Sequence, residues 1–209
     1  ALIQPLKDYM ALPETLQLYN QKKLDSTMES YASGSLEQWD MESLSYYPDR
    51  HELWNLNEPK YGVVDYNSLP EIPEVYDYTT RRVRGEIKHF PKYKIFRLAG
   101  TVLDSDNNKH LVTLLTNYGV VTCKYNKGQY SYYNKRISEQ TPAGKKKVLE
   151  ESWFKRGSKI IVCGYRREDQ FVIMKYPDTV YTHTTNRIKE IYNNGTILAQ
   201  TDRKKVGEE

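Results

Sequence analysis

Tyr93-Lys-Ile-Phe-Arg-Leu-Ala-Gly-Thr-Val-Leu-Asp104 is the stretch on which the fold turns. Within it, Ile95–Leu103 alternates and is rich in β-formers, which predicts a strand. Asp104–Lys109 then reads as a polar turn, His110–Thr116 as a second strand, Asn117-Tyr-Gly119 as a tight turn and Val120–Tyr125 as a third strand. After an insert over Asn126–Ser158, Lys159–Tyr165 reads as a fourth strand, Glu168-Asp169 as a turn and Gln170–Tyr176 as a fifth. Three meandering strands, an interruption and a closing hairpin is the chain order of an OB-fold, whose insert carries a helix in the usual version. A different small five-stranded barrel or sandwich would satisfy the same order. The expected fold is mainly β, with a helical N-terminal segment and a five-stranded OB-fold barrel over residues 93–185.

Working outward, the chain divides by charge. Residues 1–78 hold 5 Lys/Arg against 14 Asp/Glu, a balance of −9, and residues 79–209 hold 26 against 13, a balance of +13. The net charge of +4 therefore hides an acidic front and a strongly basic back. A basic half attracts phosphate, so nucleic acid is the first partner to consider. Hydrophobic content is 38% and mean hydropathy −0.78, which predicts extended or partner-dependent surface. There are 19 Tyr against 4 Phe, and Tyr suits half-exposed interfaces because it pairs a flat apolar face with a polar tip.

Residues 1–54 read as an acidic, mostly helical segment. Leu12, Leu16 and Tyr19 share one helical face and Pro13 suits a first turn, but so thin a stripe needs a partner surface. A short helix is expected from Leu36 to Tyr47. Residues 55–92, punctuated by Pro59, Pro70, Pro73 and Pro91, read as an irregular linker, with Val63-Val-Asp-Tyr66 as one short strand. Residues 186–209 read as a charged tail. The chain opens at Ala1 rather than Met, as a processed product or a piece of something longer would.

The candidate binding residues interleave cations with aromatics across the barrel: Arg97, Lys109, His110, Lys124, Tyr125, Tyr130, Tyr132, Arg136, Arg166, Arg167 and Lys175. Cations track the phosphates of a single strand while bases stack on aromatic rings, at about 1–3 kcal/mol per stack. Lys and Arg could equally solvate a small barrel, with Tyr packing its outside. The runs Gly144-Lys-Lys-Lys147 and Arg81-Arg82-Val83-Arg84 are either solvated charge runs or phosphate contacts. Cys123 and Cys163 read as small core residues of a reducing compartment. His51, His89, His110 and His183 are scattered, so no metal site is expected. Asp104 and Asp106 sit beside Asn107-Asn108 and read as a turn rather than a metal-binding pair. No catalytic residue is assigned.

Tyr93–Asp104, followed by Leu111–Thr116, Gly119–Lys124 and Gly157–Gly164, resembles the C-terminal OB region of the alpha subunit of bacterial DNA polymerase III, a C-family replicative polymerase. In that family a strand of the type hydrophobic-Ala-Gly-hydrophobic-Val opens the OB domain. Glu42-Ser-Leu-Ser-Tyr-Tyr-Pro-Asp-Arg-His-Glu-Leu53 resembles the element that precedes the OB domain, with Ser45 where the family has Gly and Glu52 where it has Pro. The resemblance covers about residues 36–180, is nearest to divergent forms of phages and some Gram-positive bacteria, and leaves the insert 138–152 outside the common pattern.

The resemblance implies a non-catalytic C-terminal part of a DNA polymerase, with an OB domain that binds single-stranded template during replication. The implied partners are single-stranded DNA and the remainder of the polymerase, covalent or separate. A sliding clamp is a further candidate, although Gln17-Leu-Tyr-Asn20 is a loose match to a clamp motif. No cofactor is expected in this chain, Mg2+ being expected only at a polymerase active site elsewhere. The expected location is the cytoplasm of a bacterium or a phage-infected host. The alternatives are a free-standing single-stranded nucleic-acid-binding OB protein, a small metal-dependent nuclease built on Asp104 and Asp106, or a structural phage protein.

Overall fold

In the computed structural model, residues 7–9, 12–31, 40–41, 43–44, 46–47, 50–140, 146–174 and 184–203 are described. Helix α1 (Pro13–Tyr31) starts at a proline, whose fixed φ suits a first turn. Its Leu16, Leu18, Tyr19 and Leu24 each stay more than half exposed. The helix expected over 36–47 lies partly outside the described residues; Asp40, Met41 and Ser43 are helical.

Residues 51–69 run along the barrel. A 3-10 turn (Glu52–Asn55) and the short helix α2 (Glu58–Tyr61) place Leu53, Leu56 and Val63 against Ala99, Ile161 and Ile188. The strand expected at Val63–Tyr66 reduces to a single parallel bridge between Val63 and Arg97, followed by a 3-10 turn at Tyr66–Ser68. Much of the expected irregular linker is regular: β1 (Val75–Val83) and β2 (Glu86–Tyr93) form a two-stranded antiparallel ribbon of their own. Arg84 (φ 52°) and Gly85 (φ 87°) make the two-residue turn with both φ values positive that matches strand twist in a hairpin.

The barrel strands are β3 (Phe96–Asp106), β4 (Leu111–Thr116), β5 (Gly119–Lys124), β8 (Lys159–Arg167) and β9 (Gln170–Ile173). Between β5 and β8 come α3 (Lys127–Asn134) and a small hairpin, β6 (Ile137–Gln140) with β7 (Lys146–Glu150). Strand β3 pairs with β8 through its first half and with β4 through its second. β4 pairs with β5, β5 runs parallel to β9, and β9 returns antiparallel to β8, which closes the barrel. This is the OB-fold. Its interior is filled by the inward set Leu98, Val102, Val112, Leu114, Val121, Cys123, Ile160, Val162 and Phe171, and Tyr130, Tyr133, Trp153 and Phe154 from the insert plug it. Cys123 and Cys163 are both buried free thiols.

Residues 185–200 are not a tail. β10 (Thr185–Ile191) pairs with the first half of β8, and β11 (Ile197–Gln200) pairs with β10. Ile188 supplies the apolar anchor that a solvated tail would lack. Beyond the hairpin, Arg203 is buried, its Nε 3.0 Å from Glu150 Oε2. Its Nη1 donates to the carbonyls of Tyr132 (2.8 Å) and Tyr133 (2.7 Å).

Candidate nucleic-acid interface

The turn between β3 and β4 organises one cationic end of the barrel. Asp106 Oδ1 accepts the backbone N–H groups of Asn108 (2.8 Å) and Lys109 (3.0 Å), the latter chiefly holding the carboxyl below its usual range. The carboxylate thus shapes the turn, as the sequence suggested. His110 takes a left-handed backbone (φ 54°) and sets its ring edge-on to Tyr130 at 5.4 Å. The Tyr130 hydroxyl and Asn134 Nδ2 both donate to Asn107 Oδ1, at 3.0 and 2.7 Å, which ties α3 to the turn. The Lys124 ammonium, at the end of β5, donates to the Lys109 carbonyl. Lys109, His110, Lys124 and the tip of Tyr130 are therefore neighbours. Asn107, His110, Lys127, Tyr130, Ser131, Asn134 and Lys135 line a shallow cleft of about 350 Å3 there.

The remaining candidates separate. Tyr132 and Arg136 are exposed further along the insert, where Arg136 Nη2 meets Glu151 Oε1 at 2.8 Å. Arg167 is exposed at the end of β8. Lys175 lies outside the described residues, as do His183, Gly144 and Lys145.

Three of the candidates are buried. Tyr125 is buried, its ring 4.9 Å from Phe154 and its hydroxyl 3.0 Å from Thr185 Oγ1, so it offers no face to a base; burial raises its pKa well above that of a free tyrosine. Tyr130 is buried apart from its tip, and burial raises its pKa too. Arg97 is buried under the 51–64 segment, where Nη1 donates to the Tyr61 carbonyl at 2.9 Å. Arg166 is half-buried and occupied. It donates to the carbonyls of Leu69 and Glu168 and pairs with Glu71, all at 3.1 Å, with its guanidinium 4.8 Å from the Tyr66 ring. Strand position alone could not separate these residues from surface ones, because the 51–69 segment covers Arg97 and Arg166 on an outer face that the bare barrel would leave open, and Phe154 of the insert covers Tyr125 and Tyr130.

A second cationic cleft escaped the sequence reading. Lys155, Arg156 and Lys159, before and at the start of β8, converge with Arg187 and Lys189 of β10 on a cavity of about 310 Å3. Lys159 is paired with Glu52 at 3.0 Å. Burial lowers the pKa of Arg187 and nearby Glu150 counters it. The available signal was the period-two spacing of Arg187 and Lys189, visible only once that segment is taken as a strand. Among the described residues no group of three His, Cys, Asp or Glu is placed to hold a metal ion, and no helix is long and apolar enough to cross a membrane.

The closed five-stranded barrel, the helix between its third and fourth strands and the cationic turn beside it define the class as an OB-fold domain. The chain is similar to the probable DNA polymerase YorL of Bacillus subtilis (strain 168) and to the DNA-directed DNA polymerase of Bacillus phage SPbeta. It is 40% identical to each over 204 residues, which is 96% of this chain and 15% of the relative. The chain thus spans a small part of the length of these relatives. No family model matches the chain, and no solved structure matches it.

Proposed function

We propose that this chain is a non-catalytic C-terminal region of a replicative DNA polymerase of the C family, and that its OB barrel holds single-stranded template. The observation that carries the polymerase reading is the 40% identity to two DNA polymerases over 96% of the chain. The single-strand reading is supported by the cluster of Lys109, His110, Lys124, Lys127 and Lys135 around the β3–β4 turn and α3, beside a β4–β5 face of the kind OB-folds use for oligonucleotides. Exposed Leu16, Leu18, Tyr19 and Leu24 on α1 support docking of the acidic front on the remainder of the polymerase. Divalent-metal chemistry belongs, on this reading, to a region outside the chain.

Primer extension tests the division of labour. The 209-residue chain should incorporate no deoxynucleotide with Mg2+ present. Deleting the matching segment from the SPbeta polymerase should weaken its hold on primed template yet spare incorporation at saturating DNA. Abolished incorporation at saturating DNA would contradict the reading.

A further inference from the structure

We propose that the β1–β2 ribbon is an arm that lies in a groove of duplex DNA, so that this region holds double strand as well as single strand. β2 is 8 residues long, which gives an arm of about 27 Å. Nearly every residue of the ribbon is exposed, on both faces. Cross-strand partners share a face, so Arg81 and Lys88 project to one side and Arg82 with Ile87 to the other. A ribbon resting on a flat polyanion needs one cationic face. A ribbon between two walls of phosphate needs a cation on each, and a groove of duplex DNA admits a two-stranded ribbon.

Among the described residues the three arginines towards the tip are also uncompensated. Lys92 and Lys94, near the base, pair with Asp77 and Glu74, and Lys88 stands 3.7 Å from Glu86. Among the described residues no carboxylate pairs with Arg81, Arg82 or Arg84. Ile87, 65% exposed near the turn, is an apolar side chain of the kind that contacts base edges or wedges between steps.

The root of the arm fixes where the duplex would lie. The Tyr93 ring packs on Tyr165 of β8 at 4.5 Å, and the Glu168 N–H donates to the Glu71 carbonyl at 3.0 Å. The ribbon therefore springs from beside the β8–β9 turn, one of the two loops that bound the ligand face of an OB-fold. Duplex on the arm and single strand on the face would be continuous, as they are at a primer–template junction. The identity of that junction rests on the polymerase reading, whereas the affinity for duplex is tested independently of it.

The test is fluorescence anisotropy of the 209-residue chain with a labelled 24-base-pair duplex and with a labelled 24-nucleotide single strand, each across a salt series. The variant carrying Arg81→Ala, Arg82→Ala and Arg84→Ala should bind the duplex at least tenfold more weakly. Its log–log salt slope should fall by about 2.7 units, at ~0.9 per phosphate released, with single-strand binding unchanged. The variant with all three changed to Lys should keep most of the slope, which separates lost charge from lost folding. Absence of duplex binding by the parent chain, or an unchanged duplex slope in the Ala variant, would overturn the arm. An arm that instead seats another part of the polymerase would give that unchanged slope. Failure of single-strand binding alone would sink the template reading and leave the arm standing.

Discussion

His51 Nδ1 lies 3.1 Å from Asn117 Oδ1, a contact that locks the segment before the barrel onto the turn between β4 and β5. The roles of the atoms follow from their neighbours. Asn117 Nδ2 donates to the Leu53 carbonyl (3.1 Å) and to Glu58 Oε1 (2.9 Å), so its Oδ1 is the atom turned to His51. Nδ1 therefore carries the proton, and Nε2 is left to accept from the Thr101 hydroxyl at 2.9 Å. Thr101 accepts in turn from the Tyr47 hydroxyl at 3.5 Å. The arrangement requires a neutral imidazole, and burial lowers the His51 pKa from 6.5.

Acid should therefore loosen this contact. With the folded pKa below the unfolded 6.5, the stabilisation from neutral His51 is fully present above pH 6.5 and is lost progressively as pH falls from there through the lower folded pKa. Urea midpoints measured on both sides of that pH should drop on the acid side, and His51→Asn should flatten the profile. Equal slopes in parent and variant would show that His51 does not titrate with unfolding.

The buried pair of Glu150 and Arg203 should be costly to break from either side. Glu150 Oε1 also accepts from Trp153 Nε1 and Gln200 Nε2, both at 2.7 Å. Glu150→Ala or Arg203→Ala should each cost about 3–5 kcal/mol in equilibrium unfolding, because the surviving charge stays buried. Glu150→Met with Arg203→Met should cost less than the two single changes added together.

Gly164 marks where β8 crosses close to β9. A Cβ there would stand 2.1 Å from the Val172 carbonyl oxygen and 2.9 Å from its carbon, both backbone atoms. Gly164→Ala should destabilise by about 3 kcal/mol or more, at or beyond the usual range for overpacking. Gly128→Ala is the control. Its Cβ would meet nothing nearer than Asn126 Oδ1 at 3.6 Å, so denaturant midpoints should barely fall or should rise.

Tyr125 should behave as a core residue. Tyr125→Ala should cost about 3–5 kcal/mol of stability, as large aromatic truncations do. Tyr125→Phe should cost about 1 kcal/mol, for the hydroxyl that now meets Thr185. Single-strand affinity of Tyr125→Phe, measured well below its melting temperature, should equal that of the parent.

The barrel was legible because its inward positions recur at a strand period, although β3 and β8 are buried on both faces. Inward Leu98, Val102, Val112 and Leu114 impose an alternation that survives in the bare sequence. The ribbon was not legible, since Thr80, Arg81 and Arg82 face water from both sides and leave no apolar period to read. The β10–β11 hairpin carried a usable signal in Asn194-Gly195, outweighed by the charge around it. Of the candidate binding residues, those around the β3–β4 turn converge. Arg97, Tyr125 and Arg166 do not, because their partners Tyr61, Phe154 and Leu69 are brought to them only by folding.

The most direct measurement of the central claim is the salt dependence of single-strand affinity for the 209-residue chain and for its Lys109→Ala, Lys124→Ala variant. The account predicts measurable binding at low salt for the parent chain. It predicts a log–log slope shallower by about 1.4 units in the variant, at ~0.7 per phosphate on a single strand. No binding at low salt, or the same slope in both proteins, would contradict it.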